Sequence, residues 1–209
     1  MPEMDFWFFH GSTYTYLTVN RIEEAAGRAG ISVRWRPYNL RVFLRETGVT
    51  FFPPGSSKAE YMWRDLERRA ERLGIPFNGR PPYPVDPDLK AFRVATLAAR
   101  EGWAPAYMKA HYRSWFLDGK APGAEEHTEE VLDSLGRDSQ AVLAATHTDE
   151  ITALIDAEVA EARRLKLWGS PHFVVGGEVF WGDDRLEDAL EWATSKHRSR
   201  AVQPEVARS

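Results

Sequence analysis

Ser12 stands in the stretch Phe9-His10-Gly11-Ser12-Thr13-Tyr14-Thr15-Tyr16-Leu17, where an aromatic run ends and a helical pattern opens at once. A hydroxyl at a helix N-terminus lies beside backbone N–H groups without intrahelical partners and beside the positive end of the helix dipole. Such a place suits an anion: a carboxylate, a phosphate or a thiolate. Taken alone, Ser12 reads first as a plain N-cap, in which the serine oxygen accepts from an N–H two or three residues on. The chain contains no cysteine. Disulfides, thiolate metal sites and cysteine nucleophiles are thereby excluded, and thiol chemistry would need a thiol from a bound small molecule. The histidines His10, His111, His127, His147, His172 and His197 lack the four-residue spacing that pairs two imidazoles on one helix face, so no metal site is expected. No Ser-His-Asp layout is evident either, so acylation of Ser12 is not expected.

The elements that must position Ser12 begin with the aromatic run Phe6-Trp7-Phe8-Phe9, read as a buried first strand ending at His10-Gly11. Tyr14, Leu17, Ile22, Ala25 and Ala26 form one face of a helix over 13–29, with Gly30 as its stop. Ile31, Val33 and Trp35 then alternate with polar residues up to Pro37, a half-buried strand. A strand–helix–strand of this length implies a parallel pair. Helices are expected over 40–48, around Met62, Leu66, Ala70 and Leu73 up to Gly74, and over 88–101, 105–118, 128–135, 139–146 and 149–167. A proline-rich link over 78–87 separates two of them. The aromatic cluster Trp103, Tyr107, Tyr112, Trp115 and Phe116 reads as core. Strand character returns in 170–181 as a hairpin turning on Gly176-Gly177, and Asp183-Asp184 reads as the N-cap of a last helix. The whole is an α/β fold, a βαβ…ββα core made of residues 1–48 and 167–195, with an all-helical insertion over 49–166 and a polar tail over 196–209.

With 209 residues, 43% of them hydrophobic and 12% aromatic, the chain has ample material for a core. Its net charge of −4 gives no general attraction to phosphate backbones, so a nucleic-acid partner is not expected. No run approaches the ~20 apolar residues of a membrane span. The start lacks a basic, then apolar, signal pattern, so a cytoplasmic protein is expected, with no membrane partner.

Certain motifs carry a resemblance. These are Asp5-Phe6 through Ser12 to Leu17, Val33-Arg34-Trp35-Arg36-Pro37, Lys58-Ala59-Glu60-Tyr61-Met62 leading to Gly74-Ile75-Pro76, Gly169-Ser170-Pro171, and Phe180-Trp181-Gly182-Asp183-Asp184-Arg185-Leu186. Over residues 5–192 the chain resembles the 2-hydroxychromene-2-carboxylate isomerase family, which has a thioredoxin-like, DsbA-like fold and is related to kappa-class glutathione transferases and disulfide oxidoreductases. The resemblance implies glutathione as cofactor, with Ser12 as the catalytic residue whose hydroxyl meets the glutathione sulfur. It places Lys58, Ser170, Pro171, Trp181, Gly182, Asp183 and Asp184 around the tripeptide. Ser170-Pro171 matches a cis-proline loop that would turn the Ser170 N–H and C=O toward an extended ligand; the residues alone allow a trans proline opening an edge strand. Asp183 and Asp184 match the segment that holds the γ-glutamyl end, and simple capping accounts for them equally well. Arg45 and Tyr83 are candidates for the substrate carboxylate and the pocket wall.

Several positions depart from the family pattern. Thr13 replaces a proline, His172 a threonine, Asp183 an amide residue and Val49 an asparagine, while His10 replaces an acidic or apolar residue. The implied reaction is isomerisation of an aromatic 2-oxo or 2-hydroxy acid in aromatic-compound catabolism, by reversible addition of the glutathione thiolate. A kappa-class-like glutathione transferase and a non-catalytic binding protein are the alternatives. The resemblance also implies a small-molecule aromatic carboxylate as partner, and a homodimer.

Overall fold

The computed structural model describes residues 1–50 and 52–195. The tail expected over 196–209 lies outside the described residues. Four strands form one mixed sheet in the order β2-β1-β3-β4. β1 (Glu3–Phe8) pairs in parallel with β2 (Ser32–Pro37), Phe6 standing opposite Trp35, and antiparallel with β3 (His172–Val175), Phe6 opposite Phe173. β3 turns through Gly176-Gly177 into β4 (Glu178–Trp181). The parallel pair and the hairpin are as the alternation and the Gly-Gly turn predict.

β1 lies inside the sheet with both faces covered over its second half, which is why Phe6-Trp7-Phe8 is a continuous apolar run while Glu3-Met4-Asp5 alternates. Met4, Phe6 and Phe8 point into the larger core with Trp35, Phe173 and Val175. Trp7 points the other way, with Tyr38, Leu167 and Val174.

Two helices, α1 (Thr13–Val19) and α2 (Ile22–Ala29), stand where a single helix over 13–29 was expected. The break falls at Asn20-Arg21. The Asn20 side chain competes for the Tyr16 carbonyl, donating to it at 2.8 Å, and Arg21 leaves helical geometry at φ −134°, ψ −17°. Thr18 and Val19, weak helix formers, precede the break. The break has a use. Arg21 is freed to reach Asp183 and Glu187 near the end of the chain.

α3 (Leu40–Thr47) and α4 (Ser57–Leu73) follow as the periodicity predicts, and Ser56 caps α4 by accepting from the Ala59 N–H at 3.2 Å. Next come α5 (Lys90–Arg100), α6 (Ala104–Phe116), α7 (Glu125–Ser134), α8 (Ser139–Thr146) and α9 (Asp149–Arg164). α5 starts later than predicted because Asp86 and Leu89 hold left-handed conformations, φ 52° and 60°. α7 starts earlier than predicted and α9 ends earlier. The cluster Trp103, Tyr107, Tyr112, Trp115 and Phe116 is buried core, as expected. Helices α4 to α7 share one hydrophobic cluster with the sheet, Met62 and Leu66 packing in the same body as Phe6 and Phe8.

The last helix corrects another expectation. Asp183-Asp184 does not cap it: Asp183–Arg185 form a short 3₁₀ turn, Gly182 precedes the turn without a capping bond, and α10 (Leu186–Thr194) begins after it. Together the halves make a thioredoxin-like core carrying a helical insertion.

Candidate active site

The turn between β1 and α1 is tied to the loop before β3. The Phe9 N–H donates to Ser170 Oγ at 2.8 Å, and the Ser12 N–H donates to the Phe9 carbonyl at 3.0 Å. Ser12 occupies the N-cap position of α1 in extended conformation, yet its side chain makes no capping bond. Its hydroxyl donates instead to the Ser170 carbonyl at 2.9 Å, leaving the oxygen's lone pairs uncommitted. Ser170 Oγ is 2.9 Å from Thr15 Oγ1. The Ser170–Pro171 bond is cis. The Ser170 carbonyl, expected to face a ligand, accepts from the Ser12 hydroxyl in this structure and keeps a second lone pair. α1 is only 7 residues long, so the positive field at Ser12 comes from its first-turn amides and not from a long helix dipole.

Ser12 borders a cavity of about 970 Å³ at the C-terminal end of β1. Lys58, Ser170, Trp181, Gly182, Asp183 and Asp184 border the same space. So do Arg45 and Tyr83. Pro171 is not on this wall; its carbonyl accepts from the Gly182 N–H at 3.0 Å, which joins the two loops. Lys58 is exposed, its Nζ 5.4 Å from the Phe52 ring centre. Arg45 is exposed and donates through Nε to the Arg41 carbonyl at 3.3 Å. Val49, also on the wall, is 44% exposed.

Trp181 lies over the backbone of Gly169, where a Cβ would collide with the indole. That contact explains glycine at 169. Trp168 meets Trp181 edge-on at 5.8 Å, so two half-exposed indoles stand together, Trp181 on the cavity wall.

Asp183 is 2% exposed and is not open to a ligand ammonium. Arg69 Nη2 donates to its carboxylate at 2.7 Å, and Arg21 donates to its backbone carbonyl. Burial pushes the Asp183 carboxyl up and Arg69 pulls it back down. The negative charge of Asp183 is thus balanced from inside the protein. Arg69 also borders the cavity, and its Nε is buried without a partner. Asp184 is exposed and pairs with Arg185 at 2.9 Å.

Sequence reasoning missed the pair His10–Asp86. His10 Nε2 lies 2.6 Å from Asp86 Oδ2, both residues almost wholly buried. Burial would raise the Asp86 carboxyl, but His10 and the N–H groups of Phe92 and Ala91 bring it down to about 2. Arg41, another wall residue not singled out, donates to the Asp86 carbonyl at 2.6 Å. Although His10 is two positions from Ser12, the Ser12 hydroxyl bonds to Ser170 and not to an imidazole. No Ser–His relay is formed. Asp86 was hidden by its setting, since an aspartate among prolines reads as a turn residue.

Four basic wall residues, Arg41, Arg45, Lys58 and Arg69, face three acidic ones, Asp65, Asp183 and Asp184. The wall is net positive on a chain of net charge −4. Among the described residues no group of three or more His, Asp or Glu converges as a cation site would require, and no helix is long and apolar enough to cross a membrane.

The family described as DSBA-like thioredoxin domain matches residues 3–191. A curated 2-hydroxychromene-2-carboxylate isomerase of Pseudomonas putida is 27% identical over 188 residues, covering 88% of this chain and 90% of that one. The solved structure of a 2-hydroxychromene-2-carboxylate isomerase superposes with a TM-score of 0.76 at 27% identity, covering 91% of this chain and 93% of that one. The cytosolic disulfide reductase DsbM of Pseudomonas aeruginosa, solved with GSH, superposes with a TM-score of 0.61 at 18% identity, covering 91% and 95%.

Proposed function

Because the chain belongs to the DSBA-like thioredoxin family, we propose, from that premise, that it is a glutathione-dependent isomerase acting on an aromatic 2-oxo or 2-hydroxy acid of the 2-hydroxychromene-2-carboxylate type. Relatives named as isomerases, matched over nearly the whole chain, support an enzyme. The observation that carries the reading is the convergence of Ser12, Ser170, Lys58 and Arg69 on one cavity in a protein without a thiol of its own.

The donor set fits a tripeptide with two carboxylates and a thiol. Lys58 would take one carboxylate and the cavity-lining guanidinium of Arg69 the other, with Asp184 near the ammonium. Trp181 and Gly182 would frame the γ-glutamyl end. Bound glutathione supplies a thiolate able to add reversibly to a conjugated double bond, so that rotation and loss of the thiolate yield the isomer.

The chain's own residues then have separate tasks. Ser12 turns its hydroxyl from Ser170 to the sulfur, holding it as the anion and so keeping it nucleophilic near neutral pH. Arg45 meets the substrate carboxylate at the open end, and Tyr83 forms the wall beside it.

The test is calorimetry with glutathione, followed by turnover of 2-hydroxychromene-2-carboxylate with and without it. Millimolar glutathione failing to bind, or turnover indifferent to it, would refute the reading. Stoichiometric consumption of glutathione would assign the chain to transfer instead of isomerisation. Sedimentation would report whether the protein is the homodimer that its resemblance implies.

A further inference from the structure

Behind the turn that carries Ser12 runs a line of buried polar side chains for which the proposed function has no role. His111 and Tyr112, neighbours on α6, both reach the turn's backbone. His111 Nε2 lies 3.2 Å from the His10 carbonyl oxygen, and the Tyr112 hydroxyl donates to the Ser12 carbonyl at 2.8 Å. His111 Nδ1 lies 3.1 Å from His127 Nε2, and His127 Nδ1 lies 3.1 Å from Ser114 Oγ. His111 and Tyr112 are wholly buried, His127 is 1% exposed and Ser114 7%.

The proton on each member follows from one end of the line. A carbonyl can only accept, so His111 carries its hydrogen on Nε2 and its bare Nδ1 accepts from His127 Nε2–H. The bare Nδ1 of His127 then accepts from the Ser114 hydroxyl. Every member is neutral, in keeping with burial, which holds both imidazoles below their ordinary range.

The arrangement has a direction. The Phe9 carbonyl is taken by the Ser12 N–H, the His10 carbonyl by His111 and the Ser12 carbonyl by Tyr112. A carbonyl oxygen left facing the cavity would repel an anion beside Ser12; one held by α6 faces the interior. We propose that Tyr112 and the Ser114–His127–His111 line are positioning residues for Ser12, which hold the His10 carbonyl and, together with the first intrahelical bond of α1, the Ser12 carbonyl inward so that the cavity side of the turn presents donors to an anionic sulfur. The inference deepens the reading above and rests on it for the identity of the anion. The departure at position 10 does not conflict with it, because it is the His10 backbone that α6 holds.

The absence of cysteine supplies a probe that needs no ligand. Ser12→Cys would carry the protein's one thiol, and its rate of alkylation by iodoacetamide against pH reads the thiol pKa at the turn. In that background Tyr112→Phe and, separately, His127→Leu should raise the thiol pKa by about half a unit or more. His127→Gln should restore it, because the Gln amide can donate to His111 as the imidazole did and accept from Ser114. Equal pKa values in all these proteins would overturn the proposal and leave the cluster a purely structural role. A shift in His127→Gln as large as in His127→Leu would also overturn it. If His127→Leu does not fold, Tyr112→Phe, which removes a single oxygen, decides alone. Failure of the unaltered protein to bind glutathione would end the proposed function yet leave this measurement valid.

Discussion

The Ser12 hydroxyl spans 158 positions of sequence to meet the Ser170 carbonyl, and it spends no hydrogen bond on capping. Ser12→Ala removes one donor from a part-buried carbonyl, at a cost of about 1 kcal/mol. Turnover should fall roughly a hundredfold, the scale of losing one donor to a developing or stabilised anion. Urea denaturation and initial rates measure the two effects, and unchanged turnover would remove Ser12 from the mechanism. Arg69 and Asp183 make the opposite kind of residue pair, in which burial dominates. Arg69→Met would leave the Asp183 carboxylate inside the protein with only the more distant Arg21, 4.0 Å away, so a loss of about 3 kcal/mol is expected. Asp184→Asn acts on an exposed pair and should change stability by no more than about 0.5 kcal/mol, while weakening glutathione more than the aromatic substrate. A stability loss in Asp184→Asn equal to that in Arg69→Met would contradict this division of roles.

Among the elements, junctions carry the site more than helices or strands do. The division of α1 from α2 places Arg21 against the 3₁₀ turn of Asp183–Arg185, a link that one continuous helix would not have made. At the exit of β4, Gly182 holds φ 111°, ψ 150°, a region open in practice only to glycine. Gly182→Ala should therefore destabilise by about 1–3 kcal/mol and push aside the Asp184 carboxylate, whose Oδ1 lies 2.5 Å from where the Cβ would stand. A urea midpoint equal to that of the parent protein would show that the junction tolerates a side chain. The missed break and the misread cap share a cause. Apolar spacing passes over both a local side-chain competitor such as Asn20, which takes the Tyr16 carbonyl, and a distant one such as Arg69, which holds the Asp183 carboxylate.

At the scale of the whole molecule, burial of imidazoles sets how stability depends on pH. His127 and His172 are depressed to about 4 by burial, and His111 lies below the ordinary range for the same reason. The unfolded chain, with imidazoles near the ordinary value of about 6.5, binds more protons below that pH than the folded one. Stability is therefore complete above pH ~6.5 and is lost as pH falls toward 4, by up to about 1.4 kcal/mol per pH unit for each imidazole. The raised carboxyls of Asp183 and Glu158 act in the opposite sense, but Arg69 and Arg36 limit their rise. Urea midpoints at pH 7 and 4.5 check the sign, and a higher midpoint at pH 4.5 would reverse it. By itself the sequence determined the order of strands and helices, the parallel pairing of β1 and β2, the Gly-Gly hairpin and the position of Ser12 at the mouth of α1, because all of these follow from spacing within a few residues. Only the tertiary structure decided that Ser12 bonds to Ser170 and not to its own helix, that Asp183 belongs to Arg69, that His10 meets Asp86, and that α6 holds the carbonyls of the active turn. Each of those contacts joins residues dozens of positions or more apart, and the packing that brings them together depends on the whole core and not on local periodicity.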